Sequence, residues 1–202
     1  MEVMYESRDI AVCVKPVGLE SQQQVPEELA KVLGGTFFPV HRLDLNVGGV
    51  MVYARTKAAA AALSKLIQDG EMVKEYVAMV HGTPEEEGDW EDLLFKDSAK
   101  NKVFVVKRMR GGVKKARLEY RRLTQGETSL VHIRLHTGRS HQIRVQFASR
   151  GMPLVGERKY STLDDPCEIA LWSYCVGFIH PATGKKMVFS KEPPRVYPWT
   201  EF

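Results

Sequence analysis

Two polar stretches of the sequence, HRLDLNVGG (41–49) and HTGRSHQIR (136–144), carry the side chains best suited to chemistry. Each lies where a predicted strand meets a turn or a helix, which is where catalytic groups tend to lie. His141 and Arg144 are three residues apart near the start of a predicted helix, so they share a face where the helix dipole favours anions. An Arg144 held there could pair with a carboxylate or a phosphate. The structural alternatives are a capping role for Asp44 and a surface position for Arg144.

Several other kinds of site lack their parts in this sequence. His132 and His136 share a strand face, but four residues of strand separate them by roughly 13 Å, too far to hold one ion. No P-loop, no GxGxxG after a strand and no GxSxG elbow is present. We therefore predict no metal and no cofactor, and neither nucleotide hydrolysis nor serine hydrolase chemistry.

Charge is concentrated in one segment of the chain. Lys100–Arg122 contains ten Lys or Arg and one acid, Glu119, so it carries +9, and the rest of a chain of net charge +4 carries −5. A surface that binds a polyanion needs such asymmetry, because each neutralised phosphate releases counterions. A solvated basic hairpin is the structural alternative.

Cysteine usage and hydropathy indicate the compartment. The three cysteines, Cys13, Cys167 and Cys175, form no CxxC pair, and their odd number leaves one without an intrachain partner. The first residues lack the basic start and apolar core of a signal peptide, and no apolar run approaches the eighteen or so residues of a membrane span. We predict a soluble, cytoplasmic protein with no membrane partner.

The predicted elements place the two polar stretches at the ends of strands. Strands are predicted over residues 9–15, 48–55, 74–81, 102–107, 117–123 and 129–136, with more strands around an HPATGK turn within 169–194. Helices are predicted over 26–33, over 57–69 with Thr56 as N-cap and Gly70 as stop, and over 141–150 with Ser140 as N-cap. GTPEEEGDWED (82–92) is predicted to be an acidic loop, and RMRGGVKK (108–115) the tip between two strands.

These elements indicate the fold class. Strands outnumber helices and several are linked as hairpins, which favours an α+β fold on a mixed, mostly antiparallel sheet flanked by helices. No repeat, low-complexity segment or linker divides the 202 residues. We therefore expect residues 1–202 to form a single domain and, at this size, a monomer.

Four motifs in order resemble a known family. HRLD at 41–44, KEYVAMVHG at 74–82 and TGRSHQIRV at 137–145 resemble the RluA family of RNA pseudouridine synthases, and VKPVGL at 14–19 is similar to its opening motif. The likeness continues through GMPLVGERKY and the HPATGKKMVF tail, so it covers nearly the whole chain. It implies the pseudouridine synthase catalytic fold with a central active-site cleft, and an enzyme that isomerises uridine within ribosomal or transfer RNA without a cofactor.

The resemblance also implies catalytic residues. Asp44 matches the family's catalytic aspartate, which acts as a nucleophile or a base on the ribose. Arg144, which ends HQIR, is expected to keep that carboxylate ionised, since a bare carboxylate in a closed pocket takes up a proton. Tyr76 of KEY is expected to stack on the uracil and to help remove the C5 proton.

Further residues are expected to bind the RNA or to support the site. Arg42 is expected to fill the space of the flipped base, and Lys15 to support the pocket from the strand-to-turn junction. Ile143 is expected to pack on the base or behind Tyr76. His41, Arg139 and His141 belong to the matched motifs, and Lys114 and Lys115 belong to the Lys100–Arg122 hairpin, which is expected to bind phosphates.

The sequence departs from the family pattern at several positions. Val47 and Gly48 replace a Thr-Ser pair and so delete two hydroxyls from the loop after Asp44, VKP replaces Asn-Lys-Pro, and Glu157 stands where Gly-Asp is frequent. Only about forty residues precede HRLD, too few for the small N-terminal RNA-binding domain of many relatives. The rival hypothesis is an inactive RNA-binding or RNA-folding protein on the same scaffold. A third, a nuclease, would need a metal or a histidine acid/base pair.

Overall fold

The computed structural model describes residues 1–200. Eleven strands and three helices follow one another within that range. Their order is β1 (Glu2–Glu6), β2 (Ile10–Lys15), α1 (Gln24–Leu33), β3 (Phe38–Pro39), β4 (Gly48–Ala54), α2 (Lys57–Gln68), β5 (Val73–His81), β6 (Glu87–Asp97), β7 (Lys102–Val106), β8 (Val113–Arg122), β9 (Thr128–Leu135), α3 (Gln142–Ala148), β10 (Leu171–Ile179) and β11 (Lys186–Ser190).

The chain folds as two compact units, and the first consists of Met1–Glu75 with Trp172–Pro193. Its strands run in the order β1-β2-β4-β10, with β3 on β4 and β11 on β10. Strands β4 and β10 are parallel. The pairs of β1 with β2, β2 with β4, β3 with β4 and β10 with β11 are antiparallel. The core lies between these strands and the apolar face of α2, and includes Ile10, Val12, Val50, Val52, Leu63 and Phe178.

The second unit consists of Tyr76–Leu171 together with the chain from Pro194. Its strands run in the order β5-β9-β8-β6-β7, with antiparallel pairing from β9 through β8 and β6 to β7. Helix α3 packs on this sheet, where the ring of Trp90 lies 4.5 Å from that of Tyr120 and 4.7 Å from that of Phe147, between centroids. Leu94, Val103, Ala116 and Val145 form a neighbouring apolar cluster.

Most predicted elements are confirmed. Helix α2 begins after Thr56, whose Oγ1 accepts a hydrogen bond from the backbone N–H of Ala59 at 3.1 Å. On β9 the predicted apolar face, Val131, Ile133 and Leu135, is buried. The predicted strands at 9–15, 48–55, 74–81 and 102–107 and the hairpin around HPATGK are all present.

The predicted acidic loop at 82–92 is wrong, because β6 occupies most of it. Glu87, Asp89 and Glu91 alternate along the strand, with Glu87 opposite Arg121 and Glu91 opposite Arg117. Asp89 lies opposite Glu119 and is paired with Arg117. Trp90 then points to the aromatic cluster. Gly88 makes room for Tyr120, whose ring occupies the position of a Cβ at residue 88.

Two further boundaries differ from the sequence prediction, and two short strands were not predicted. Strand β8 begins at Val113, so Lys114 and Lys115 lie in the strand and not in a hairpin tip. The N-cap of α3 is His141 in the left-handed conformation (φ 50°), not Ser140, and its side chain makes no capping hydrogen bond. Strands β1 and β3 were not predicted, since they are short edge strands that depend on β2 and β4 for pairing.

The α+β class with mixed, mostly antiparallel strands is confirmed. Residues 1–200 include no helix that is long and apolar enough to cross a membrane. The single-domain organisation, the monomer and the cytoplasmic location stay predictions.

Candidate active site

In the first unit, Asp44 lies in the loop that leads into β4. The loop turns tightly there, because the backbone N–H of Val47 donates to the carbonyl oxygen of Asp44 at 3.0 Å. The Asp44 side chain is 19% exposed, and Nη2 of Arg42 lies 3.8 Å from its Oδ1. Arg42 itself is half exposed. The backbone of Asp44 is thus held by the turn, and its carboxylate is reachable from solvent.

Lys15 supports this loop from beneath. Its side chain is fully buried at the end of β2, and Nζ donates to the carbonyl oxygens of Pro16, Leu45 and Val47 at 3.0, 3.1 and 2.8 Å. An ammonium group has three protons, so all of its donors are satisfied. Burial lowers the pKa of Lys15 to about 8, and the charges of Asp44 and Glu20 oppose that shift. This position agrees with the supporting role expected for Lys15, and direct contact with RNA stays a prediction.

His41 attaches the other end of the loop to β4. Its Nε2 accepts a hydrogen bond from the backbone N–H of Val52 at 3.1 Å. Burial, with a smaller contribution from the positive charge of Lys74, lowers the pKa of His41 to about 4. The imidazole is therefore neutral near pH 7. Past the end of β3 it takes the place of a backbone carbonyl group and accepts the hydrogen bond from a β4 N–H group. Its contact with RNA stays a prediction.

The glycine pair after the loop is required by the close approach of β10. Gly48 and Gly49 lie opposite Trp172 and Ser173 in the parallel pair. A Cβ at Gly48 would lie 2.5 Å from Cζ3 of Trp172, and one at Gly49, whose φ is +123°, would overlap the backbone of Ser173. The glycine pair is visible in the sequence, but the reason for it, the close packing of β10 on β4, is visible only in the structure.

Other hydrogen bonds order the loop in which two hydroxyls are missing from the family pattern. Val47 is only 2% exposed. Besides the three bonds from Lys15, the Oγ of Ser21 donates to the carbonyl of Leu43 at 2.9 Å, and the Leu43 N–H donates back to it at 3.3 Å. The replacement of Thr-Ser by Val47 and Gly48 has not left the loop without hydrogen bonds.

In the second unit, Arg144 of α3 is held by a buried carboxylate. Its Nε donates to Oε2 of Glu157 at 2.6 Å and its Nη2 to Oε1 at 2.8 Å. Glu157 is fully buried and Arg144 14% exposed. Burial raises the pKa of Glu157, but the bonds from Arg144 and from the backbone N–H groups of Lys159 and Tyr160 outweigh it, so the pKa is lowered and the carboxylate stays ionised.

Tyr160 joins Arg144 to His141. The Arg144 guanidinium lies over the Tyr160 ring, 5.6 Å from its centroid. The Tyr160 hydroxyl accepts from the Val103 N–H at 2.9 Å and lies 2.7 Å from Nδ1 of His141. Sequence reasoning identified neither Tyr160 nor Glu157 as a site residue. The signal was an arginine in a largely buried helix, which requires a counter-ion.

The remaining predicted residues of the second unit divide between core and surface. Tyr76 on β5 and Ile143 on α3 are buried. Arg139, Lys114 and Lys115 are exposed. Nε of Arg139 donates to the carbonyl of Lys115 at 2.8 Å, whereas Nζ of Lys115 lies 3.2 Å from Oε1 of Glu91.

The loop before α3 is held by a buried glutamine of the HQIR motif. Oε1 of Gln142 accepts from the Thr137 hydroxyl at 2.8 Å and from the Arg139 N–H at 3.0 Å, and its Nε2 donates to the Arg117 carbonyl at 3.1 Å. Gln142 therefore fixes the backbone from which Arg139 and His141 project.

Comparison with known proteins identifies relatives of this chain. The family described as RNA pseudouridylate synthase matches residues 9–149. The chain is 34% identical to an uncharacterized RNA pseudouridine synthase of Aquifex aeolicus, over 100% of this chain and 73% of the relative. It is 31% identical to the dual-specificity RNA pseudouridine synthase RluA of Escherichia coli, over 93% and 90%. Among solved structures, human RNA pseudouridylate synthase domain containing 4 matches with a TM-score of 0.80 and 22% identity, over 96% of this chain and 89% of that chain, and so shares its fold.

Proposed function

This chain belongs to the RNA pseudouridylate synthase family and is an RluA-type RNA pseudouridine synthase, and we propose that it isomerises specific uridines of ribosomal or transfer RNA at a site built on Asp44. The bond from N1 of the base to C1′ of the ribose breaks, and C1′ is rejoined to C5. C5 loses a proton and N1 gains one, so no atom is added or lost overall. The reaction requires a carboxylate beside the ribose and a group that takes the C5 proton.

The observation that carries this proposal is the state of the Asp44 loop. Asp44 lies within the matched residues 9–149, its carboxylate is 19% exposed, and Lys15 fixes the loop through three carbonyl groups. A carboxylate that reacts at one ribose carbon has to be held in place before the substrate arrives. Asp44 acts on the ribose as a nucleophile or as a base.

Arg144 and Tyr76 supply the remaining functions in this proposal. Arg144 is the cation that pairs with the Asp44 carboxylate in this proposal, and Glu157 fixes its guanidinium through Nε and Nη2. Tyr76 stacks on the uracil and assists loss of the C5 proton. Arg42, which is half exposed, fills the space that the flipped uridine leaves in the RNA.

The test is tritium release from RNA that carries 5-tritiated uridine, isolated from cells that lack this gene. We expect release with the wild-type protein and none with Asp44→Asn, while RNA binding is largely kept. Separate ribosomal and transfer RNA fractions identify the substrate class, and chemical mapping of pseudouridine identifies the uridine. RNA binding without release by the wild-type protein would instead support the inactive RNA-binding hypothesis.

A further inference from the structure

A groove of about 170 Å³ lies in the second unit between the β6-β7-β8 strands and the loop before α3. Its floor is apolar, formed by Leu94 and Val103, which are each 3% exposed. Lys96, Lys114 and Arg139 line it, and no carboxylate does among the residues that the structure describes. The combination of an apolar floor and three cations distinguishes it from an ordinary solvated surface.

Strand register places these lysines on one face of the sheet. Leu94 is opposite Lys114, and Lys96 is opposite Val103. Residues that are directly opposite share a face, and so do residues two apart in a strand. Lys96, Lys114 and the two floor residues therefore all project from the same face.

The other face of the same hairpin is neutralised. Lys115 is paired with Glu91, and Arg117 with Asp89 and Glu119. Within residues 1–200, by contrast, Lys96 and Lys114 form no salt bridge. Within the Lys100–Arg122 segment, Lys114 on the groove face therefore keeps its charge unpaired beside Lys96 and Arg139, whereas Lys115 and Arg117 on the other face do not.

The cationic wall is held in position before any ligand binds. Nε of Arg139 is bonded to the carbonyl of Lys115, and its backbone N–H to Gln142. The Nη groups of Arg139 have no partner among residues 1–200. A guanidinium fixed at Nε can present both Nη groups to a phosphate with little loss of conformational entropy.

The groove also adjoins the Arg144 side of the candidate site. Val103 of the floor donates its backbone N–H to the hydroxyl of Tyr160, over whose ring Arg144 lies. Ser140, which lines the groove, directly precedes His141. A chain of nucleotides that brings one base to Arg144 would therefore pass its neighbour into the groove.

We propose that this groove binds a nucleotide next to the target uridine, with the RNA phosphate on Lys96, Lys114 and Arg139 and the base on Leu94 and Val103. The proposal rests on the proposed function and adds a place where the flanking sequence is bound. A bare phosphate would need the cations only, whereas the flat apolar face of a base accounts for the floor as well.

The test measures RNA binding by Asp44→Asn protein, so that turnover does not intervene. Lys96→Gln and Lys114→Gln are added singly and together, and Lys115→Gln is the matched control for Lys114→Gln, because each removes one charge and Lys115 lies on the opposite face. We expect the double variant to weaken binding at least tenfold near 100 mM salt. It should also reduce the slope of log Kd against log salt by about 1.4, the value for two contacts at roughly 0.7 each with a single strand. The control should change Kd less than threefold.

A second arm tests the apolar floor. RNAs are made that lack the base of the nucleotide before or after the mapped uridine. Only one of these two RNAs should bind the Asp44→Asn protein more weakly. Loss of that base should weaken binding to the double variant less, because the base and the phosphate occupy one groove.

Each outcome has one interpretation. Equal losses for the double variant and for Lys115→Gln would contradict the groove and indicate diffuse attraction. Normal tritium release by the wild-type protein with no loss in the double variant would overturn the groove alone. Absence of both RNA binding and tritium release would overturn the proposed function itself.

Discussion

At the scale of single residues, the pairing of Arg144 with Glu157 fixes the one arginine of α3 within the second unit. A planar guanidinium that meets a carboxylate at two atoms is fixed in direction as well as in position. Glu157 is fully buried, and its charge is compensated by Arg144 and by the backbone N–H groups of Lys159 and Tyr160. The resemblance to the family led us to expect Gly-Asp here, and the longer glutamate makes both bonds.

We expect Glu157→Gln to damage stability and activity together. It leaves the Arg144 charge without its bidentate partner, and breaking a buried ion pair from one side costs about 3–5 kcal/mol. Urea unfolding monitors the loss of stability, and single-turnover tritium release should fall at least tenfold while RNA Kd changes little. Glu157→Asp, which keeps the charge, should restore much of both. If Gln and Asp variants behave alike, Glu157 acts by packing alone.

The residues of the site were partly predictable from the sequence, and the limit has a physical cause. Lys15, Asp44 and Arg144 belong to motifs, so their types and order were visible. Glu157 and Tyr160 act through contacts across the fold, and a sequence lists neither distances nor partners. Lys114 and Lys115 are neighbours in sequence, but strand alternation places them on opposite faces with different electrostatic surroundings.

At the scale of elements, His41 attaches the Asp44 loop to β4 as a neutral ring. Burial lowers its pKa to about 4 from an ordinary value of 6.5. The unfolded chain therefore binds the proton more readily than the folded one between those values. The stability that this group contributes is present above pH 6.5 and is lost as the pH falls towards 4.

We expect the free energy of unfolding to fall by about 3 kcal/mol between pH 7 and pH 4 because of His41 alone, at roughly 1.36 kcal/mol per pKa unit. Urea unfolding at several pH values measures it. His41→Gln, whose amide oxygen can accept from the Val52 N–H but cannot titrate, should remove most of this dependence. An unchanged pH profile in that variant would assign the acid sensitivity to other groups.

The parallel contact of β4 with β10 sets a second requirement on an element. We expect Gly49→Ala to destabilise the protein by more than about 3 kcal/mol or to prevent folding, since its Cβ overlaps the Ser173 backbone and its φ is +123°. Gly70→Ala is the matched control, because its φ is also positive (+75°) but no atom lies within 4 Å of the added Cβ. Thermal unfolding of both should show a cost of about 1 kcal/mol for the control. Similar losses at the two glycines would mean that backbone strain, not contact with β10, explains Gly49.

Elements were predictable where the local pattern determined them. The cap and apolar face of α2 and the alternation of β9 are local, and both are confirmed. Strand β6 was missed because its acids looked like a solvated loop. They form a strand by pairing with β8, which lies about thirty positions later in the chain and places Arg121 opposite Glu87 and Arg117 opposite Glu91.

At the scale of the whole molecule, the course of the chain relates the two units. The first unit contains two separate segments, so the chain passes from one unit to the other after Glu75, after Leu171 and after Pro193. Strand β5 begins in one unit and ends in the other. Each unit consists of two segments that are separate in the sequence. Each unit also has its own apolar core.

The single-domain hypothesis therefore predicts one cooperative unfolding transition reported from both units. Trp172 belongs to the first unit, and Trp90 and Trp199 to the second. Two variants are made, one that keeps only Trp172 and one that keeps only Trp90. In each variant the urea midpoint from tryptophan fluorescence should coincide with the midpoint from circular dichroism. Because unfolding of one unit would break β5 after Glu75, we expect neither unit to persist alone. Separate midpoints for the two tryptophans would show that the units unfold independently and would contradict a single domain.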